Sequence, residues 1–127
     1  MEADIDGVQR KVVFSNVRPA RISDGDSGIA LRGGRTLPFV VSRSWSAPAG
    51  HYAEAWYLVD PATREVLFQS SSDEVRVWGL QSWTEFSDTV TEPIPLVPGS
   101  YLIVFALGGL QGGEITVSAA AAVGSAA

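Results

Sequence analysis

No stretch of this chain sustains a helical period. Its apolar residues alternate with polar ones or gather in short runs, such as AWYLV at 55–59 and YLIVFAL at 101–107, and β-branched and aromatic types dominate them. Thirteen glycines and seven prolines, helped by aspartate and serine, cut these runs at short intervals. Little room is left for an amphipathic helix of ordinary length. The punctuation predicts short strands joined by tight turns, and therefore an all-β domain.

Strands are expected at 11–17, 29–31, 37–45, 53–60, 66–69, 75–80, 83–90, 101–107 and 114–119. With no crossover helix between them, antiparallel pairing in two sheets is the natural solution, a β-sandwich. The 127 residues suit one domain. It is placed at 1–119, with the alanine-rich end at 120–127 as a flexible tail. Apolar residues make up 46% of the chain, enough for a core without staples. Cysteine is absent, which removes a disulfide framework, a thiolate zinc site and a cysteine nucleophile together.

Two features resemble an immunoglobulin-like sandwich. Trp56 falls in the third or fourth strand, where such domains often bury a tryptophan, and Leu-x-Pro-Gly-x-Tyr at 96–101 looks like the corner whose tyrosine hydroxyl bonds back to the backbone. The resemblance is to a fold and extends over most of the chain. The inter-sheet cysteine pair is missing, so it does not imply an antibody-type domain. A jelly roll is the alternative.

Two strands are apolar on both faces. Tyr101, Ile103, Phe105 and Leu107 point one way and Leu102, Val104 and Ala106 the other; Trp56 and Leu58 oppose Tyr57 and Val59. A two-layer fold buries one face of each strand and wets the other. The second face is therefore expected to be an interface formed by Tyr57, Val59, Leu102 and Val104, with Trp83 as an anchor. A loop or the tail folded over that face, or closure of the strands into a barrel, is the bland alternative.

Charge narrows the partners. The net charge of -5 argues against nucleic acid. The longest apolar run is too short to span a bilayer, and the acidic start MEADIDG has no apolar signal segment. A cytoplasmic protein, or a part of a larger assembly, is the resulting expectation. Arg18, Arg21, Arg32, Arg35 and Arg43 cluster early, whereas after Arg64 only Arg76 is basic against seven acidic residues. An exposed arginine group of this kind suits an acidic partner, including the acidic half of a neighbouring copy.

Candidates for chemistry are sparse. His51 is the only histidine, and no serine stands in a nucleophile elbow to pair with it. Asp73 and Glu74 are adjacent, so on a strand they face opposite sides. Asp4 and Asp6, with Asp24 and Asp26, look like fragments of an oxygen-rich calcium loop, though Asp-Gly and Ser-Gly pairs are also ordinary turn chemistry. The glycine pairs lack the lysine and helix of a phosphate cradle.

Trp78 and Trp83 flank Gly79 at an odd spacing. A regular strand would send them to opposite faces, whereas a bulge at Gly79 would bring them to one. Together with Trp45 they form a candidate stacking platform for carbohydrate, weighed against plain packing or a protein interface.

The sequence thus favours a non-catalytic structural or interaction module that self-associates. Structural subunits, decoration proteins of virus particles and adaptor domains all fit. A carbohydrate-binding module, with or without structural calcium, is the alternative.

Overall fold

A computed structural model of the chain describes residues 11–20, 27–80 and 83–122, apart from the side chains at 11, 13 and 14. All regular structure among these residues is β; there is no helix. The strands are β1 (Lys11–Pro19), β2 (Ile29–Arg32), β3 (Arg35–Thr36), β4 (Phe39–Ser46), β5 (Gly50–Val59), β6 (Val66–Gln69), β7 (Asp73–Val77), β8 (Thr84–Val90), β9 (Gly99–Leu107) and β10 (Leu110–Ala121).

They form two sheets. The smaller runs β1-β4-β8; the larger runs β3-β2-β10-β9-β5-β6, with β7 also on β5. β6 pairs with the second half of β5 and β7 with the first, so the two share one edge. One pairing departs from the all-antiparallel expectation. β10 runs parallel to β2, Ala119 opposite Ile29 and Ala121 opposite Leu31. The final strand thus extends past Ala119, and Ala122 N–H donates to the Leu31 carbonyl at 2.9 Å. Small alanines in extended backbone find a waiting strand edge there, so the sheet takes residues that composition assigned to the tail.

The sheets share one apolar core. Val17, Phe39, Val41, Trp45 and Val90 come from the smaller sheet, and Ile29, Leu31, Trp56, Leu58, Ile103, Phe105, Leu107 and Val117 from the larger. Phe39 and Trp56 meet edge-to-face across the layers, ring centroids 6.4 Å apart. Full burial of each such side chain stabilises by about 1.5–3 kcal/mol. Strand β1 lies beside β10 and β2, which closes one side. Gly28 stands at this junction with φ +98 and donates to the Val17 carbonyl at 2.6 Å; a β-carbon there would come within 2.6 Å of the Ser118 carbonyl oxygen. The opposite side is different: β8 and the β6/β7 pair are both edges.

Two expected local features are present. Trp56 is buried between the sheets. The Tyr101 hydroxyl donates to the Val97 carbonyl at 2.6 Å, which fixes the turn into β9.

Candidate functional site

Strand alternation turns Phe39, Val41, Arg43 and Trp45 toward the core, and Arg43 goes in with its apolar neighbours, only 3% exposed. This corrects the expectation that Arg43 belongs to an exposed basic group. Glu54, on the facing strand β5 and equally buried, meets it: Arg43 Nε donates to Oε2 at 2.6 Å, and Nη2 donates to Oε1. Nη1 donates to the Val41 carbonyl at 3.1 Å, and Trp45 Nε1 donates to Glu54 Oε2 at 2.7 Å. Asp88 of β8 completes the group, its Oδ2 lying 3.2 Å from Arg43 Nη2 and accepting from Trp56 Nε1 at 3.0 Å. Burial works against the guanidinium's charge, but its bonds and proximity to Glu54, and then to Asp88, outweigh that and raise the Arg43 pKa above its ordinary value.

Two carboxylates thus share one guanidinium, and the surplus negative charge faces outward. Asp88 is 38% exposed and opens into a groove of about 450 Å³ between β8 and the β6/β7 edge. The groove's apolar lining is Trp56, Phe68 and Val90, and the Trp56 and Phe68 rings are tilted with centroids 5.7 Å apart. Its carboxylates are Asp73, Asp88 and Glu92; serine and threonine hydroxyls fill the rest, and no lysine, arginine or histidine lines it. Ser70 ties the rim down. Its N–H donates to the Trp56 carbonyl, and its Oγ accepts from the Trp56 N–H, both at 2.9 Å. Such a surface offers acceptors and negative charge to a cationic or hydroxyl-rich guest.

A second feature lies at the other end of β8. Val77 ends β7 and Thr84 begins β8, and the chain crosses between the sheets in this connection. Trp78 and Trp83 are each 62% exposed, with Leu80 also exposed between them. Gly79 has φ +136, and Trp78 N–H donates to Thr84 Oγ1 at 3.2 Å. Both tryptophans stand outside the strands, so strand parity does not govern them. The Arg76 guanidinium lies 4.1 Å above the Trp78 ring, a cation–π stack. Trp45 does not belong with them: it is fully buried and bonded to Glu54. Its in-phase position with Phe39 and Val41 is the physical reason.

The apolar outer face of β5 and β9 is there, but largely covered. Tyr57, Leu102 and Val104 are half-buried and Val59 is buried. Tyr57 stands opposite Val104, and Val59 opposite Leu102, so the stripe is two strands wide and its members shield one another. Arg64, in the turn after β5, pairs with Glu114 of β10 at 3.3 Å. Since β9 lies between β5 and β10, this pair bridges across the stripe.

His51 is exposed, with Nδ1 3.8 Å from Glu74 Oε2. Asp4, Asp6, Asp24 and Asp26 lie outside the described residues, as does Arg21. Among the described residues no three His, Asp or Glu side chains gather to hold a metal ion, and no helix is long and apolar enough to cross a membrane. Glu54 and Asp88 were missed by the sequence reading. The available signal was phase: Arg43 shares the apolar face of β4, and Glu54 precedes the buried Trp56 by two residues.

No protein-family model matches the chain, and no curated protein matches it. Among solved structures, it is similar to the β-glucosidase of Listeria innocua in complex with isofagomine, with a TM-score of 0.54 and 11% identity over 91% of this chain and 17% of that one. It is also similar to the alkylpurine DNA glycosylase AlkC of Pseudomonas fluorescens bound to DNA containing an abasic site analog, with a TM-score of 0.52 and 13% identity over 92% of this chain and 32% of that one. The chain therefore spans a minor part of either protein. At these identities the likeness is one of fold.

Proposed function

We propose that this chain is a non-catalytic interaction module on an immunoglobulin-like sandwich, which acts through protein–protein contacts and self-associates. The observation that carries the reading is the exposed tip, Trp78 and Trp83 at 62% exposure each with Leu80 between them. Tryptophan has a large apolar surface, and it is enriched where protein interfaces concentrate their binding energy. Three large apolar side chains left in water at one connection suit a surface that a partner covers. The Tyr101–Val97 hydroxyl bond and the buried Trp56 support the immunoglobulin-like assignment. That similar folds make up a minor part of two enzymes of different chemistry supports reading the domain as a scaffold.

The test is molar mass in solution, by light scattering over a concentration range, for the parent chain and for Trp78→Ala/Trp83→Ala. The reading expects an oligomer that the double substitution shifts toward monomer. A parent that is monomeric at every concentration overturns self-association. A second reading, carbohydrate binding, draws on the same exposed rings and on Arg76 stacked over Trp78. A tryptophan emission shift on adding laminarin or xylan, lost in the double variant, would favour it.

A further inference from the structure

We infer that the β2–β3 hairpin of one copy docks, through Arg32 and Arg35, into the acidic groove between β8 and the β6/β7 edge of the next copy. The inference rests on the reading of the chain as a protein–protein interaction module and adds a specific contact to it. The hairpin turns on Gly33 and Gly34, whose φ values of +62 and +77 suit a two-residue turn of the type that matches strand twist. Arg32 and Arg35 are direct cross-strand partners, and both are exposed. Nothing lies within 4 Å of where a β-carbon would stand on either glycine, so that side of the turn is open.

Two like charges opposite each other across a hairpin are destabilising, and a counter-charge relieves them. Neither arginine has an ion-pair or ring partner among the described residues. The hairpin is also fixed. Thr36 N–H donates to the Ile94 carbonyl at 2.9 Å, Leu96 N–H donates to the Gly34 carbonyl at 3.1 Å, and Arg35 bridges Pro95. Thr36 Oγ1 also donates to the Glu92 carbonyl at 3.4 Å, so the strand is held at the groove's margin, yet neither arginine pairs with a groove carboxylate of its own chain.

The groove supplies what the prong lacks. Asp73, Asp88 and Glu92 line it; Asp88 shares Arg43 with Glu54, neither Asp73 nor Glu92 has an ion-pair partner among the described residues, and about 450 Å³ is room for guanidinium groups. Asp88 is already oriented by the Trp56 indole N–H. Arginine's planar fork suits both carboxylates and aromatic faces, and the half-buried Phe68 provides one of the latter. The net charge of -5 opposes indiscriminate contact between copies, so an arrangement that places arginines on carboxylates is selected over others. Prong and groove are different surfaces, so the contact is head-to-tail and generates a ring or an open chain rather than a two-fold dimer.

The experiment uses two neutralised variants of the full chain, both carrying Trp78→Ala and Trp83→Ala so that the aromatic tip contributes nothing. One has Arg32→Ser/Arg35→Ser and keeps the groove; the other has Asp73→Asn/Glu92→Gln and keeps the prong. All four charged positions are exposed, and circular dichroism checks that each variant keeps its β signature. Light scattering at low salt is expected to find each variant alone monomeric and their equimolar mixture forming a dimer with one intact contact. Association should weaken about tenfold or more in roughly 0.5 M salt, where screening reaches only a few ångströms. A mixture that stays monomeric, or a prong-less variant that oligomerises alone like its parent, overturns the contact. If the chain with its tryptophans intact still self-associates in that case, only this contact is lost; if it too is monomeric, the wider reading falls with it.

Discussion

At the scale of single residues, the buried ion pair determines more than any other feature. Arg43 and Glu54 are 3% and 2% exposed, so each depends on the other to offset its desolvation. Removing one partner leaves an uncompensated charge in the core. Arg43→Met and Glu54→Leu should each destabilise the fold by about 3–5 kcal/mol, whereas the double variant should recover most of that loss. Urea denaturation of the three proteins checks this, and additive losses would show that the pair is not coupled. Because the Arg43 pKa is raised in the folded chain, its stabilising contribution is fully present below the unfolded value. It is lost only as pH climbs through the raised one, far into the alkaline range. Gly28 is a second constrained residue. Alanine there would hold φ +98 and press on the Ser118 carbonyl oxygen, so Gly28→Ala should cost about 1–3 kcal/mol in the same assay.

At the scale of elements, the strands were legible because burial imposes a period of two. β4, β5 and β9 stand close to where alternation and apolar runs put them, and the tyrosine turn into β9 was readable from LVPGSY. What alternation does not encode is which strand finds which. The parallel β10–β2 pairing joins residues about ninety positions apart, and nothing local marks Ala119–Ala121 as its partners. The Trp78–Trp83 connection was hidden for another reason. A strand that leaves one sheet for the other drops its period, so neither parity nor a bulge describes it. Arg43 was misplaced because charge was counted along the sequence before its phase in the strand was considered. The β2–β3 turn gives this scale its own prediction. Gly33→Asn should be nearly neutral, since asparagine tolerates the left-handed region, whereas Gly33→Val should cost about 1 kcal/mol or more in thermal unfolding.

At the scale of the whole molecule, the four tryptophans divide into two pairs with opposite tasks. Trp45 donates its indole N–H to Glu54 of the buried ion pair and Trp56 donates to Asp88 beside it, while Trp78 and Trp83 contribute little to the fold because water already reaches them. Replacing the exposed pair by alanine should change stability by no more than about 0.5–1 kcal/mol, as is usual for surface positions. Quenching separates the pairs without any mutation. In dilute protein, iodide should reach Trp78 and Trp83 and leave Trp45 and Trp56 untouched, so emission splits into an accessible and an inaccessible fraction. On the proposal that a second copy covers the tip, raising protein concentration should then shield the accessible fraction. If the accessible fraction stays constant while molar mass rises, copies assemble without the tip. The head-to-tail contact of hairpin and groove would then carry the association alone, and the tryptophans would remain free for a different partner.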